Sequence, residues 1–449
     1  MNILKRIIEG LRRYPTAIFS VIVIGGLIVL SLSTAIFFPL PKAIQMWQGG
    51  GTWAKYPEKA APTWVNIFRG DKLPETIILS TDDSETSVEE LSSTMTRYTT
   101  ELEFDYGYSV FPPELSLFFS PEYESKAPQV TAVWITPDGR EFQVFKDTAS
   151  PGQQFSISSS RAVENLVGGK PRFALFMAPD DNPRAPIEER ETQEGTYRVQ
   201  LSVLTFEPES TYTTELVVFG HISGWAGTDH LRRDLGIGLL WGTPVALIFG
   251  MLAAICTSVT TFCIAAIGSW YGGWVDAAIQ RICEVNIMLP LLPILIMIGT
   301  FYNTTLWTIL GVIIVLGIFS AGIKTYRAMF MQVKNSPYIE AARAYGASGP
   351  RIIFRYMVPR VAPMLLPGFV TQIPAYVFLE ASLAVLGITD PRLPTWGKIL
   401  SQANAQGALW GGEYYWILEP AVMLLFTGLA FSMLGYALDR IFNPRLRGL

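Results

Sequence analysis

Charge is what this sequence is short of. Only 16% of its 449 residues are Asp, Glu, Lys or Arg, against the quarter or so usual in soluble domains. Half the residues are hydrophobic and the mean hydropathy is positive, +0.31. Cysteine is nearly absent: Cys256, Cys263 and Cys283 all fall in apolar stretches, which excludes a disulfide framework and zinc-finger spacing. With His221 and His230 as the only histidines, a metal site is not expected. The chain holds no Walker A glycine–lysine loop, so it cannot itself hydrolyse ATP. No nucleophile–base pairing or phosphate loop occurs in the long polar stretch 43–220 either.

The apolar residues that are present are gathered into runs. A bilayer span needs about 20 mostly apolar residues. Thr16–Leu40 satisfies this, exceeds the apolar core of a signal peptide and lacks a clear cleavage site, so it reads as a retained anchor. Five further spans are expected near 236–268, 281–301, 304–324, 362–388 and 415–437, the first of them either crossing from its start or beginning as an interfacial helix. Lys5, Arg6, Arg12 and Arg13 precede the anchor and predict a cytoplasmic N-terminus. Six crossings return the C-terminus, with Arg440, Arg445 and Arg447, to the same side. The stretch 324–360 carries Lys324, Arg327, Lys334, Arg343, Arg351, Arg355 and Arg360 against one acid, Glu340, and so is independently expected in the cytoplasm.

The net charge of −4 conceals a split. Residues 43–220 hold 27 acidic and 14 basic side chains, a balance of −13; the rest hold 11 and 20, a balance of +9. Two environments are the simplest cause: an acidic aqueous domain outside, and membrane segments with basic inner loops. Within the aqueous stretch, 48–53 (QGGGTW) reads as a flexible exit. Gln129–Thr136 and Glu141–Lys146 flank Pro137-Asp138-Gly139-Arg140, a hairpin signal. Thr196–Phe206, Arg172–Met177, Thr76–Ser80 and Thr213–Phe219 are further strand candidates. Short strands separated by Gly, Pro and Asp turns predict an all-β, sandwich-like domain large enough for its own core. The charged run Asp180–Glu194 reads as a solvated loop. The domain is read either as a stabilising spacer or as a contact surface for an external protein.

Between two apolar runs lies EAARAYGASG, residues 340–349. Ser336-Pro337 is a helix-start signal, with Ser as cap and Pro in the first turn. Gly346 suits the left-handed position after a helix ending at Tyr345. Ser348 and Pro350 start a second short helix, with Arg351 and Arg355 one turn apart and Pro359 ending it. Ala341, Ala342 and Ala344 are small enough for another surface to approach the backbone closely. The pattern leaves two readings open: a docking hairpin for an acidic partner, or an amphipathic helix on lipid.

Glu340-Ala341-Ala342, Gly346 and Pro359 resemble the EAA loop of bacterial ABC-importer permeases, with Tyr356 and Val358 at positions where that pattern has Ile and Leu. Further segments resemble the dipeptide/oligopeptide/nickel family, C-type subunit. These are Gly227-Thr228-Asp229-His230-Leu231-Arg232-Arg233-Asp234, with Arg232 where glycine is usual; Gly272-Gly273-Trp274-Val275-Asp276 with Arg281; Met288-Leu289-Pro290 with Leu292-Pro293; Glu380-Ala381-Ser382-Leu383 with Leu386-Gly387; Pro394-Thr395-Trp396-Gly397; and Asn443-Pro444-Arg445-Leu446-Arg447. The likeness covers the first span and about 225–449, and the insert at 43–220 is larger than that family's usual loop.

The resemblance implies a polytopic α-helical membrane protein of six spans with an inserted extracytoplasmic β-domain. Its parts are 1–42 (N-terminus and first span), 43–220 (β-rich domain) and 221–449 (five-helix permease core, EAA loop near 335–360). It implies a non-enzymatic permease subunit forming half of a path for peptides or a similar small solute, in a bacterial inner or plasma membrane. Glu340, Ala341, Ala342, Arg343, Gly346 and Pro359 would couple it to ATPases. Implied partners are a homologous permease in a heterodimer, two ABC ATPase subunits that bind ATP and Mg, an extracytoplasmic substrate-binding protein and membrane lipid, with no nucleic acid and no cofactor on this chain.

Several residues carry two readings. Glu380, charged within an apolar span, lines the path or gate, or is a structural hydrogen-bonded carboxyl. Pro290 and Pro293 kink the third span for function or for packing. Asp229, Arg233 and Asp234, with Arg232, are expected just outside the membrane as a salt-bridged entry helix on the extracytoplasmic side. Glu340 and Arg343 could pair on the helix surface, and Asp276 and Arg281 are expected to order an inner loop. A different class, a membrane-anchored sensor or assembly protein working through the β-domain, is the alternative to transport.

Overall fold

Alternation with period two builds the polar stretch into sheets. In Met95–Tyr106 (β3), Leu102, Phe104 and Tyr106 point inward while Glu101, Glu103 and Asp105 face water. Gly195–Thr205 (β8) does the same with Tyr197, Val199, Leu201 and Val203. The two pair antiparallel with Leu102 opposite Val199 and Phe104 opposite Tyr197. The computed structural model describes residues 14–179, 191–208, 210–302, 305–388 and 390–442. The basic residues Lys5–Arg13, most of the charged run 180–194 and the tail from Asn443 onward lie outside the described residues.

With Ile77–Ser80 (β1), Thr86–Ser92 (β2), Leu115–Phe119 (β4), Gln129–Ile135 (β5), Glu141–Thr148 (β6), Gln153–Ser156 (β7) and Thr214–Val218 (β9), the described strands form two antiparallel sheets. One has the order β1-β9-β4-β7 and the other β2-β3-β8-β5-β6. Both feed one core, in which Trp134, Phe104, Phe176 and Tyr197 cluster with ring centroids 4.7–5.9 Å apart among the Phe176, Trp134 and Tyr197 pairs. This is the sandwich-like domain expected from sequence. The β5–β6 hairpin turns at Thr136–Arg140 with Gly139 at φ +88, a left-handed conformation that suits glycine.

Two expectations fail here. Arg172–Met177 is not a strand: Pro171 starts a helical turn, Pro171–Ala174, and the chain then delivers Phe176 to the core from that turn. The stretch 48–53 is not a loose exit: Gly51–Trp53 is a 3₁₀ turn and Trp53 is buried.

The chain divides into two compact units, residues 49–235 and residues 1–48 with 236–449. The aqueous unit thus extends past the 220 drawn from sequence. The reason is a stem in which 221–229 is stitched to 57–63: Ala61 N donates to His221 O (2.8 Å), Thr63 N to Gly224 O (2.9 Å) and Thr228 Oγ1 to Pro57 O (2.7 Å). Short helices Arg161–Val167 (α3) and Pro171–Ala174 (α4) complete this unit.

The other unit begins with Pro15–Phe37 (α1) and Leu40–Trp47 (α2). It continues with Leu235–Tyr271 (α5), Gly273–Met288 (α6), Leu291–Phe301 (α7), Leu306–Ile318 (α8) and Gly322–Lys334 (α9). The last part is Pro337–Ala344 (α10), Gly349–Ile352 (α11), Val358–Val361 (α12), Leu365–Val385 (α13), Trp396–Ala405 (α14), Ala408–Gly411 (α15) and Tyr414–Phe442 (α16). Among the described residues four helical runs are long and apolar enough to cross a membrane, or six if each of two bent pairs counts as one span. The bent pairs are α6 with α7, at 75°, and α8 with α9, at 44°, so the segment near 281–301 is broken rather than straight. Helices approach closely at glycines: a Cβ on Gly250 would fall 2.6 Å from Val377 Cγ2, and one on Gly428 would fall 2.6 Å from Phe378 Cζ.

In the β unit, Glu207 latches the loop before β5. Its carboxylate accepts from Ser125 Oγ (2.6 Å) and from the amides of Glu124, Ser125 and Lys126 (2.8–2.9 Å). The Ser125 hydroxyl and these amides hold its pKa down at about 2. A lowered carboxylate pKa stabilises the fold above the unfolded value, near 4.3, and that contribution is lost as pH falls toward 2. Glu207→Gln should therefore speed amide hydrogen exchange at residues 124–126 at pH 7. The wild type's advantage in unfolding midpoint should close as pH drops through that window; an advantage independent of pH would contradict the latch.

Candidate functional site

The stretch around EAARAYGASG is a helical hairpin. Pro337 opens α10 at its first position, and the helix closes in a Schellman turn: Gly346 N donates to Arg343 O (2.9 Å) and Ala347 N to Ala342 O (3.0 Å). Gly346 sits at φ +74, as its position after the helix requires. Ser336 and Ser348 precede the two helices as expected, but neither hydroxyl makes a capping bond. Pro359 does not end the second helix. A π-turn, Ile353–Met357, leads through α12 and a 3₁₀ turn, Ala362–Met364, into α13. Pro359 falls in the first turn of α12, and the widened π-turn just before it accommodates the missing amide.

Helices of eight and four residues have no stability of their own. They stand on an apolar floor in which Ile339, Ile352, Ile353 and Met357 are buried with Phe262, Tyr326 and Phe330. Trp270, near the end of α5, lies beneath the turn. The Arg343 guanidinium stacks 4.5 Å from its ring centroid, and a Cβ on Gly349 would come 2.8 Å from its Nε1. Lys334 Nζ donates to Ser269 O (2.8 Å) and Trp270 O (2.9 Å), satisfying the last carbonyls of α5. Arg327 grips Asp276 with two nitrogens, Nε to Oδ1 at 2.8 Å and Nη2 to Oδ2 at 2.5 Å, tying α9 to the first turn of α6. Asp276 thus orders this loop, while Arg281 does not: it is exposed and pairs with Glu284 (3.3 Å).

Besides the Arg343 that stacks on Trp270, the hairpin exposes Tyr338, Glu340, Ala341, Ala344, Gly346 and Tyr345, the last 92% exposed. Ala342 turns the other way and packs on the floor, so Ala341 and Ala344 are the small residues open to another surface. Arg343 goes to Trp270 rather than to Glu340.

The proline pair shapes a second feature. Leu289 is extended (ψ 126) and Pro290 precedes α7, so the helix breaks there; Pro293 lies in the first turn of α7, where no intrahelical amide is needed. Residues on both sides of the break, Leu289 and Leu291, line a groove of about 250 Å³ with Asn286, Gly317, Ser320 and Tyr376. Asn286 Nδ2 donates to Leu316 O (2.8 Å) and Tyr376 OH meets Thr257 Oγ1 at 3.1 Å. Tyr376 and Asn286 had no signal in the sequence reading beyond being polar groups in apolar helices.

Glu380 is buried, meets Thr395 at the start of α14, and is not among the residues lining that groove. Thr395 Oγ1 donates to Glu380 Oε1 (3.1 Å) while accepting from Lys398 N (3.1 Å), which caps α14. Trp396 Nε1 donates to Leu239 O (3.0 Å), and a Cβ on Gly397 would lie 2.9 Å from Ala381 Cα. The segments Glu380–Leu383 and Pro394–Gly397 are thus two halves of one joint.

In the aqueous unit, Asp229 and Arg233 form a buried ion pair, Arg233 Nε to Oδ2 at 2.7 Å, and Asp229 Oδ1 accepts the amides of Leu231 and Arg233. Asp234 bridges back to Thr228 through the backbone, so the segment is a tight turn and not the entry helix expected from sequence; the helix starts at Leu235. Arg232 adopts φ +64, a left-handed conformation that suits glycine; a non-glycine costs about 1–2 kcal/mol there. Its side chain offsets the strain: Nη2 meets Glu114 Oε2 (2.5 Å), Nη1 donates to Tyr56 O (2.8 Å), and the guanidinium lies 4.8 Å from the Phe219 ring centroid.

Residues 246–448 match the family described as binding-protein-dependent transport system inner membrane component. The glutathione transport system permease protein GsiD of Escherichia coli is 31% identical over 234 residues, covering 50% of this chain and 73% of that protein. GsiD of Pectobacterium atrosepticum is 28% identical over 226 residues, with the same coverage. The dipeptide transport system permease protein DppC of Bacillus subtilis is 27% identical over 224 residues, covering 50% and 69%. The chain belongs to this family of ABC-importer permeases: it is a membrane transport subunit and not an enzyme. The β unit, residues 49–235, lies outside the family match.

The joint makes Glu380 testable. Glu380→Gln keeps an acceptor for Thr395 and should leave thermal stability and transport near wild type. Glu380→Leu removes it and should cost about 1–3 kcal/mol, read as a lowered unfolding midpoint in detergent. Loss of transport in Glu380→Gln without loss of stability would instead assign the charge itself to the path.

Proposed function

We propose that the chain forms half of a translocation path for peptides or a similar small solute. It crosses the membrane six times with both termini in the cytoplasm and the β unit outside. The hairpin α10–α11 is the seat for an ATPase subunit. Two ABC ATPases carrying ATP and Mg, a homologous permease, an extracytoplasmic binding protein and surrounding lipid complete the working assembly. The glutathione and dipeptide relatives motivate the solute class, and the seven cationic residues of 324–360 against one acid motivate the cytoplasmic side.

One observation carries this reading: the hairpin packs on Trp270 of α5 and follows directly on α9, which Lys334 and the Asp276–Arg327 grip tie to α5 and α6, while Ala341 and Ala344 stand open beside the exposed Tyr338 and Tyr345. Closure of the ATPases would push the hairpin as a rigid body and bias the bent helices between outward and inward openings. The break at Pro290, beside the groove lined by Asn286 and Tyr376, is where such a push changes the path; Pro293 supports the first turn after it, and Glu380 holds the α13–α14 joint. Asp229, Arg233 and Asp234 rigidify the segment that leads into α5 from outside.

Ala341→Trp and Ala344→Trp place bulk on the outer face and touch none of the floor. Both variants should insert normally, fail to co-purify with the ATPase subunits, and lose solute-stimulated ATP hydrolysis by tenfold or more, the equivalent of about 1.4 kcal/mol or more of lost coupling. Gly346→Pro should do the same by destroying the Schellman turn. Undiminished co-purification of the two tryptophan variants would reject the seat.

A further inference from the structure

The β unit exposes a compact aromatic patch where the chain is about to enter the apolar helix α5. Trp64, Ile67 and Phe68 are 42%, 78% and 81% exposed, and Trp225 is 52% exposed. They are neighbours: Trp64 Nε1 donates to Trp225 O (3.0 Å), and the rings of Trp64 and Phe68 meet edge to face at 6.4 Å. The patch is held, not floppy. Thr63 N and Oγ1 both donate to Gly224 O (2.9 and 3.0 Å), and Asn66 brackets Leu73 with two bonds, Leu73 N to Oδ1 (2.9 Å) and Nδ2 to Leu73 O (3.0 Å). Exposed Arg69 and Lys72 adjoin it, with two carboxylates, Asp71 and Glu75, the latter lining one hollow with Ile67 and Lys72.

Its place along the chain decides what covers it. Leu235, the first residue of α5, donates its amide to Gly227 O at 3.1 Å. Trp225 is two residues from Gly227, so their Cα atoms are within about 7 Å of each other. The patch is therefore next to the start of a 37-residue helix that is apolar from its first turn (Leu235, Ile237, Leu239). Tryptophan and phenylalanine beside basic residues, at the mouth of a span, have the chemistry of the bilayer interface: rings among the upper acyl carbons, guanidinium and ammonium groups on lipid phosphates.

We propose that Trp64, Ile67, Phe68 and Trp225 form a membrane-interface anchor, inserted about 5–10 Å into the headgroup region, with Arg69 and Lys72 on phosphates. The occupant is lipid, and the anchor would keep the large β unit seated on the membrane instead of swinging on its two junctions. The inference rests on α5 crossing the bilayer and is independent of the coupling role of the hairpin.

The test uses the full chain in nanodiscs of phosphatidylethanolamine and phosphatidylglycerol brominated near the top of the acyl chains. A bimane label is placed at F68C, or at V88C on the exposed strand β2, with Cys256, Cys263 and Cys283 replaced by alanine. Brominated lipid should reduce emission at the F68C site by about twofold or more relative to unbrominated lipid, as shallow insertion requires, and leave the V88C site unchanged. Equal quenching at both sites, or none at the F68C site, overturns the proposal. So does an F68C signal that changes only when the substrate-binding protein is added, which would make the patch a protein-docking face. ATP hydrolysis is not read, so failure of the coupling reading leaves this outcome unaffected.

Discussion

Burial of Ile339 against Trp270, Phe330 and Met357 is the constraint on which the rest depends. Two helices of eight and four residues cannot transmit force unless something makes them rigid. Here an apolar floor does so, and polar ties fix that floor to its neighbours: Lys334 on the carbonyls ending α5, and Arg327 on Asp276 at the start of α6. The hairpin is consequently the rigid end of three helices at once. Ala341 and Ala344 on its outer side take no part in that floor.

The β unit closes its own ends. Its stem pairs 57–63 with 221–229, so both chain ends leave from the same short ladder. Arg232 is the mark of that closure. A left-handed backbone at φ +64 is where glycine belongs, and the arginine accepts the strain because Glu114, Tyr56 and Phe219 receive its side chain. Arg232 thus pins the last turn of the β unit to Glu114, Tyr56 and Phe219 of the same unit.

Much of this was legible in the sequence because it is written in local chemistry. Apolar runs announced the long helices, Pro137–Arg140 the hairpin, and Ser336-Pro337 with Gly346 the elbow. What was hidden is what non-local contacts decide. The strand β3 mixes Glu, Asp and Thr with its apolar residues, and only pairing with β8 reveals which face is buried. Arg172–Met177 has strand-like residues but Pro171 in front of it, and the proline prevailed. Pro359 has the look of a terminator, yet the π-turn before it lets the helix run on. Glu380 could be seen to be costly inside an apolar helix; that Thr395, fifteen residues away, receives it could not. Among the candidate coupling residues the spacing fixed the hairpin, but which alanine faces out depended on the floor beneath it, and Ala342 turned out to face in.

The central claim is that the hairpin and the β unit lie on opposite sides of the membrane, with the hairpin where ATP is made available. The most direct measurement is sided labelling with a membrane-impermeant maleimide of two single-cysteine variants, A341C on the hairpin and V88C on the sheet, in intact cells and in inverted vesicles. The account predicts that V88C reacts in intact cells and A341C only in inverted vesicles, with the A341C reaction blocked once the ATPase subunits are bound. Reaction of A341C from outside intact cells would contradict it.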